Sequence, residues 1–374
     1  MRAFLTVLLL SSGLALAGGG GAPPVRELPP PPQTGRPERT ALAVDGAGTP
    51  VLAWTAPGPA GNRQLHAARL TPGGWTPLGG VLNEGRAFNA GQLSARTDAA
   101  GRVWLGWSED SGEAHVDSYL MSRWDGRAWS SPSRYAVRRN LSDAGRSRAF
   151  ALLPDGTPAL AWLDLGVHGA FAGVVRPLAR QGGTWVPQTP LSDTARAGFA
   201  PDIAVDRSGR RTVAFLEGDF ATMNVRVRQE GGPGPWPALG GPLNRRPGTF
   251  AAAPKLLLGP GGRPVVAWLE EDPSGHDRLN VSRWTGAAWH PLGAAASSPG
   301  VSAEAPALAL THAGQPVLAW LEAGQLRAAH WNGHAWEALP LPPTHDASGP
   351  SLSADGAYLA VGDGERVRVW ALRF

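Results

Sequence analysis

A short apolar segment ending in an aromatic residue recurs through this chain at an almost constant interval. PVLAW at Pro50 to Trp54 returns as VWLGW (Val103 to Trp107), PALAW (Pro158 to Trp162), TVAF (Thr212 to Phe215), PVVAW (Pro264 to Trp268) and PVLAW (Pro316 to Trp320). A degenerate YLAV follows at Tyr358 to Val361. The aromatic positions 54, 107, 162, 215, 268 and 320 are spaced by 53, 55, 53, 53 and 52 residues. Self-similarity of this length marks a repeat architecture in which one supersecondary unit is stacked many times.

Each copy has the same internal order. An apolar run such as Ala305 to Leu310 leads through a glycine-containing turn into the repeated segment, and a third run follows, seen as LNVSRW at Leu279 to Trp284. Asp125-Gly126, Thr285-Gly286 and Asn332-Gly333 then precede a second Trp, at 129, 289 and 336, which opens a fourth run. Asn-Gly and Asp-Gly between apolar runs signal a tight hairpin whose two central residues take positive φ. The unit therefore reads as a four-stranded antiparallel meander. Its runs are apolar almost without alternation, so both faces need cover. Radial stacking around an axis supplies that cover, and repeat length and strand count predict an all-β, seven-bladed propeller, with six blades as the alternative.

The blade repeats fall near 40–83, 92–140, 147–193, 199–244, 252–297, 304–343 and 349–374. The last copy has three runs and lacks the fourth. VRELPPPPQ (Val25 to Gln33) resembles WEALPLPPT (Trp336 to Thr344) at matching distance from the next Asp-Gly or Asp-Gly-Ala turn, so residues 25–33 are expected to close the ring. A polyproline linker is the competing reading of that segment.

The chain opens MRAFLTVLLLSSGLALA, with Arg2 before an apolar run and Ala15 and Ala17 at A-x-A spacing. This is the layout of a secretory signal peptide, expected to be cleaved after residue 17 and to leave a single propeller domain over 18–374 in the periplasm or outside the cell. The apolar stretch is shorter than the ~20 residues of a spanning helix. The sequence has no cysteine, which removes disulfides, thiolate metal sites and thiol nucleophiles. Of 34 basic residues only Lys255 is a lysine. Guanidinium suits bidentate binding of carboxylate, sulfate or phosphate. A net charge of +4, with Arg and acids interspersed, does not predict a nucleic-acid partner.

On its repeat shape, the chain resembles the secreted bacterial β-propellers of the broad sialidase-like and lectin-like type. The Gly-His…Trp-Asp pattern of WD repeats is absent. Thr97-Asp98-Ala99-Ala100-Gly101 only echoes the sialidase Asp-box, and Gly79-Gly80 and Gly240-Gly241 follow the Trp where a kelch doublet would precede it.

Most of the 16 Trp residues occupy the repeated positions and are expected to pack between blades; Trp104 and Trp370 stand outside them. In an up-and-down blade the loops between second and third strands share a face with the blade-to-blade linkers, and function on propellers usually sits on such loops. Two residues beyond the repeated aromatic stand Ala56, Glu109, Asp164, Glu217, Glu270, Glu322 and Asp363, an acidic ring in six of seven blades. The linkers carry Arg86, Arg146, Arg148, Arg196, Arg245 and Arg246, with Phe88, Phe150, Phe199 and Phe250 nearby. The expectation is a network in which Arg148, Arg196 and Arg245 neutralise the ring and surplus Arg meets an anionic ligand beside Phe88, Phe199 and Phe250.

The loop SEDSGEAHVDSY gathers Glu109, Asp110, Glu113, His115, Asp117 and Tyr119. Paired carboxylates there could serve glycoside hydrolysis, and oxygen ligands of this density could hold Ca²⁺, the one cofactor considered. Tyr119 is the one candidate tyrosine nucleophile. His115, His168 and His276 lie in equivalent loops and are expected to be surface residues. Two functions remain from the sequence. The first is a monomeric, non-catalytic propeller binding a glycan, an anionic envelope polymer or a protein partner. The second is a carbohydrate hydrolase or lyase of sialidase-like architecture.

Overall fold

The computed structural model describes residues 24–32, 35–110, 116–138, 148–164, 173–219, 221–231, 235–294 and 296–374. The proposed leader, 1–17, lies outside them, as do Arg146, Glu113, His115 and His168. Blade 1 is built from strands Arg39–Val44, Pro50–Pro57, Arg63–Thr71 and Gly74–Pro77, and blade 2 from Asn89–Thr97, Val103–Asp110, Val116–Arg123 and Ser133–Arg138. Blade 3 holds Arg148–Leu152, Pro158–Asp164, Val174–Gln181 and Thr184–Pro187. Blade 5 holds Ala251–Leu258, Pro264–Glu271, Asp277–Trp284 and Trp289–Pro291, and blade 6 Ala303–Leu310, Pro316–Glu322, Gln325–Trp331 and Trp336–Ala338.

Blade 4 has three full strands, Ala197–Val205, Arg211–Gly218 and Met223–Gln229. Its fourth run contains Pro237 and Pro242, which donate no N–H. It is held by the bridge Arg228 to Ala238 and by N–H bonds from Leu239 and Leu243 to the carbonyls of Val227 and Val225.

Blade 7 holds Ala347–Leu352, Tyr358–Asp363 and Arg366–Leu372, and its outer strand is Val25–Glu27 from the other end of the chain. Val25, Arg26 and Glu27 pair antiparallel with Leu372, Ala371 and Trp370. The protein is a seven-bladed β-propeller whose termini share one blade.

The core is divided among the blade junctions. Seven apolar clusters each join two neighbouring blades. The repeated aromatics Trp54, Trp107, Trp162, Phe215, Trp268 and Trp320 are all buried there, each against the preceding blade. Blade 7 has Val361 where an aromatic would stand, and Trp370 of its third strand fills that junction instead. This accounts for one of the two tryptophans outside the repeat. The other, Trp104, donates its indole N–H to Asp98 at 3.1 Å.

The fourth-strand tryptophans stitch the outside of the ring. Trp129, Trp289 and Trp336 donate their indole N–H groups to the carbonyls of Leu78, Leu239 and Leu292, each at the outer end of the preceding blade. Trp75 donates to Pro29 in the same way, so the N-terminal segment occupies the outer position of blade 7 in register.

The turns before these tryptophans differ from the sequence expectation. Gly126, Gly286 and Gly333 take positive φ, but Asp125, Thr285 and Asn332 do not. The loops run over four residues, with Asp125 N–H bonded to the Ala128 carbonyl. The Asp125 carboxylate accepts the N–H groups of Arg127 and Ala128, both at 2.8 Å. The side chain thus caps the turn, and a left-handed conformation is needed only at glycine.

Two outcomes follow for stability. Trp268→Ala should cost about 3–5 kcal/mol in denaturant unfolding, the range for a fully buried large aromatic. Removal of residues 1–32 should bare the edge of Arg366–Leu372 and produce aggregation and a lower melting temperature. Unchanged melting and monodispersity in light scattering would make the N-terminal strand dispensable.

Candidate functional site

The acidic positions are anchors for the linkers. Glu109 accepts the Trp107 indole N–H at 2.9 Å and the Glu84 backbone N–H at 2.7 Å. Glu270 accepts from the Trp268 indole, from the backbone N–H groups of Arg245 and Arg246, and from the Thr249 hydroxyl. Glu322 accepts from the Trp320 indole and from both the N–H and the hydroxyl of Ser298. The Trp-x-Glu spacing places indole and carboxylate on the same side of one strand, because side chains repeat every two residues.

Where the indole is missing, a guanidinium from the third strand takes its place. Glu217, beside Phe215, accepts the Asp193 N–H and lies 3.4 Å from Arg226. Asp363 accepts the His345 N–H and bonds Arg368 at 3.1 Å, and Arg368 continues to Glu27 of the closing strand. Asp164 bonds the third-strand Arg176 at 2.9 Å as well, although Trp162 stands two residues before it. The ring carboxylates are engaged, but the charged partners seen are third-strand arginines and not the linker guanidiniums expected from the sequence. Neutralisation comes from N–H donors and third-strand arginines, with the linkers contributing mostly backbone.

The seven linker residues expected at a ligand site are scattered. Arg86 and Arg196 are exposed on the rims of different blades. Phe88 is half-buried beneath Gly85, and Phe199 is half-buried at the junction of blades 4 and 5. Phe250 is 38% exposed. Arg245 turns inward over the Trp268 ring, 5.8 Å from its centroid, and bonds the carbonyls of Val281 and Gly293. Burial pulls its pKa down. Of the seven, Arg148 alone among the described residues lines the central cavity.

That cavity is the propeller channel, about 400 Å³, walled by the first strands of all seven blades. Its charged lining is Arg39, Arg96, Arg148, Lys255 and Asp202. Four cations face one carboxylate, and the lone lysine of the chain is among them. Asp202 is engaged by the Leu256 N–H at 2.8 Å and by Arg96 at 3.9 Å. Among the described residues Lys255 makes no hydrogen bond or ion pair through its ammonium group.

A backbone irregularity shapes this wall. In blades 2, 4, 5, 6 and 7 the first strand carries a bulge, between Gly91 and Ser94, Phe199 and Asp202, Ala252 and Lys255, Glu304 and Ala307, and Ser348 and Ser351. Gln92, Ala200, Ala253, Ala305 and Gly349 hold the left-handed conformation, with φ between 35° and 48° at the four non-glycine residues and 52° at Gly349. Such a conformation costs an L-residue roughly 1–2 kcal/mol. Bulges redirect the following side chain, here Ser94, Asp202, Lys255, Ala307 and Ser351, onto one level of the channel wall.

This set was missed in the sequence, although a signal was present. Ala200-Pro201, Ala253-Pro254 and Ala305-Pro306 stand at a fixed offset before Phe215, Trp268 and Trp320, and Gln92-Leu93 keeps that offset before Trp107.

Tyr119 sits behind the same wall. It is 1% exposed, with its hydroxyl 3.2 Å from Ser94, and burial pushes its pKa up to about 12. Gly106 stands where the other blades have Ala, because a Cβ there would lie 2.5 Å from the Tyr119 hydroxyl and 2.6 Å from Phe150. A buried phenol that resists ionisation is unsuited to nucleophilic attack. Among the described residues no group of three His, Asp or Glu is placed to hold a metal ion.

No protein-family model and no curated protein matches the sequence. Solved structures do. A lectin of Burkholderia pseudomallei is 13% identical with a TM-score of 0.58, over 91% of this chain and 97% of the lectin. An ulvan lyase bound to a glucuronate–sulfated rhamnose saccharide is 12% identical with a TM-score of 0.57, over 93% and 96%. A catalytically inactive virginiamycin B lyase of Staphylococcus aureus is 11% identical with a TM-score of 0.54, over 94% and 99%. At these identities the likeness establishes the propeller fold.

The anchors differ in charge preference. At Glu109 burial outweighs the indole and Gly85 N–H groups, and the pKa is raised. At Glu322 burial also pushes upward, but the Ser298 and Trp320 donors and Arg327 outweigh it and the pKa falls below the usual carboxylate range. A lowered pKa gives stability that is present above the unfolded value and lost as pH falls through the folded one. A raised pKa gives the reverse, since the fold prefers the neutral acid. Glu322→Gln should therefore cost about 1–3 kcal/mol at neutral pH, the range for a buried charge-assisted bond, and flatten the acid side of the melting profile. Glu109→Gln should leave neutral-pH melting nearly unchanged. Equal losses in calorimetry would contradict this division.

Proposed function

We propose that this propeller is an exported, non-catalytic binding protein that takes an anionic glycan or cell-envelope polymer at the mouth of its central channel. The observation that carries the reading is the channel lining, where four cationic side chains meet a single, already engaged carboxylate. A concave site with a few convergent charged groups is the default place for ligand binding. Guanidinium and ammonium groups recognise carboxylate and sulfate by charge-assisted hydrogen bonds. The first strands begin at the linker face, so Arg39 and Arg148 stand at that mouth while Lys255 lies further in. The similar lectin and ulvan lyase folds support a saccharide as the ligand class.

Catalysis is not needed to explain this arrangement. Tyr119 is occluded, and the acidic ring is spent on holding linkers.

Calorimetric titration with oligogalacturonate, alginate and heparin fragments tests the reading. At least one should bind, more weakly as salt rises. Lys255→Ala and Arg148→Ala should each lose roughly tenfold or more, as expected for a charge-assisted contact. Arg86→Ala, on the rim, should bind as the parent does. Absence of binding to any anionic saccharide, or full binding by both channel variants, would overturn the proposal, and shortening of the saccharide during incubation would establish an enzyme.

A further inference from the structure

Blade 2 departs from the repeat at two registered positions that meet behind the channel wall. The second-strand residue before the core aromatic, or before Val361 in blade 7, is Ala53, Ala161, Ala214, Ala267, Ala319 and Ala360 in the other blades, and Gly106 here. The third-strand residue paired one step beyond the aromatic is Leu65, Val175, Val225, Leu279, Leu326 and Val367 in the other blades, all buried, and Tyr119 here. The two departures belong together, because the missing Cβ of Gly106 is what leaves room for the phenol oxygen. Six blades fill this place with an aliphatic side chain that has no polar atom to satisfy. Blade 2 buries a hydroxyl there, which costs free energy unless a hydrogen bond compensates it.

The compensating partner is on the channel wall. Tyr119, 1% exposed, has one hydrogen-bond partner among the described residues, the Ser94 hydroxyl at 3.2 Å. Burial keeps the phenol protonated, so it has a proton to place, and Ser94 Oγ is the acceptor within reach. The serine oxygen thus receives the phenol's proton and must send its own elsewhere. One acceptor is the Gly106 carbonyl, at a long 3.4 Å. The other direction is the channel, which Ser94 lines.

The charges around Ser94 say what would accept that proton. Arg96, two residues along the same strand and therefore on the same side of it, lines the channel, as does Arg148 of blade 3. Both act electrostatically on the Tyr119 hydroxyl, which places them near the Tyr119–Ser94 pair. Blades 6 and 7 contribute no charged side chain to the lining among the described residues. The channel is thus polarised across its width, with the serine donor in the cationic half.

We infer that Ser94 is the hydrogen-bond donor that reads an acid oxygen of the bound glycan, and that Tyr119 is the positioning residue that holds the serine proton toward the channel. This rests on the binding reading above and deepens it. A carboxylate or sulfate oxygen is an acceptor only, and a hydroxyl already committed as donor suits it better than one free to turn. Fixing the rotor before the ligand arrives also removes an ordering cost from binding. The uncharged face of the sugar is left to the wall of blades 6 and 7, at Ala307 and Ser351.

The test is a double-mutant cycle, read by titration calorimetry of the whole chain with oligogalacturonate and with heparin fragments. On the fragment that binds the parent, Ser94→Ala should lose about tenfold in affinity, as for a charge-assisted hydrogen bond. Tyr119→Phe keeps the ring and should keep the melting transition, yet lose about three- to fivefold. Ser94→Ala/Tyr119→Phe should bind no more weakly than Ser94→Ala alone, because the phenol acts only through the serine. Parent-like binding by Ser94→Ala, alongside a loss in Lys255→Ala, would overturn the inference and leave the binding reading intact. A Tyr119→Phe loss that persists undiminished in the Ser94→Ala background, or a lower melting temperature in Tyr119→Phe, would make the phenol a packing group and defeat its positioning role. If neither anionic fragment binds the parent, both readings fall.

Discussion

A four-stranded sheet with apolar residues on both faces is stable only between two neighbours, and every other feature of this molecule follows from satisfying that condition all the way round. Seven apolar clusters, one per junction, replace a single central core. A linear stack would leave two such faces in water. The ring removes them, but only if its last blade is complete. Three N-terminal residues complete it, and Glu27 joins Arg368 and Asp363 in a charge network that ties the two ends of the chain across blade 7.

The same condition explains where the polar residues went. Blades must be held at a fixed spacing, and the linkers between them are too short and proline-rich to form ladders of their own. A carboxylate two residues beyond the core aromatic receives the linker's N–H groups, and the aromatic's own indole shares the same acceptor. Removing one partner from such a buried set leaves the others unsatisfied, which costs more than the bond itself is worth. Where Phe215 or Val361 cannot donate, Arg226 or Arg368 stands in. Repetition of acidic residues around the ring is thus a consequence of repeated construction.

The channel is the place where repetition breaks. Among the described residues blades 1 and 3 show no inner-strand bulge, and Thr40 and Arg148 stand singly opposite Trp54 and Trp162 where the other blades place two residues. Ser94, Asp202, Lys255, Ala307 and Ser351 share one level and differ in chemistry. A symmetric scaffold has gained an asymmetric, cationic lining at the one point where all seven blades converge. Strain stored at the left-handed alanines is carried by the two hydrogen-bonded strands on either side of each bulge.

The sequence by itself determined the repeat, the strand order within each blade, the burial of the core tryptophans and the closure by Val25 to Glu27, because each is written in local periodicity or in a match of register. It also placed six carboxylates at one level. Only the tertiary structure decided what those carboxylates face, since their partners Glu84, Asp193, Ser298 and His345 lie in loops whose path depends on the neighbouring blade. It likewise decided that Arg245 turns inward, that Arg86 and Arg196 stay apart, and that Lys255 lines the central channel. Those residues are more than a blade apart in sequence, and convergence on an axis is a property of the closed ring that no single repeat contains.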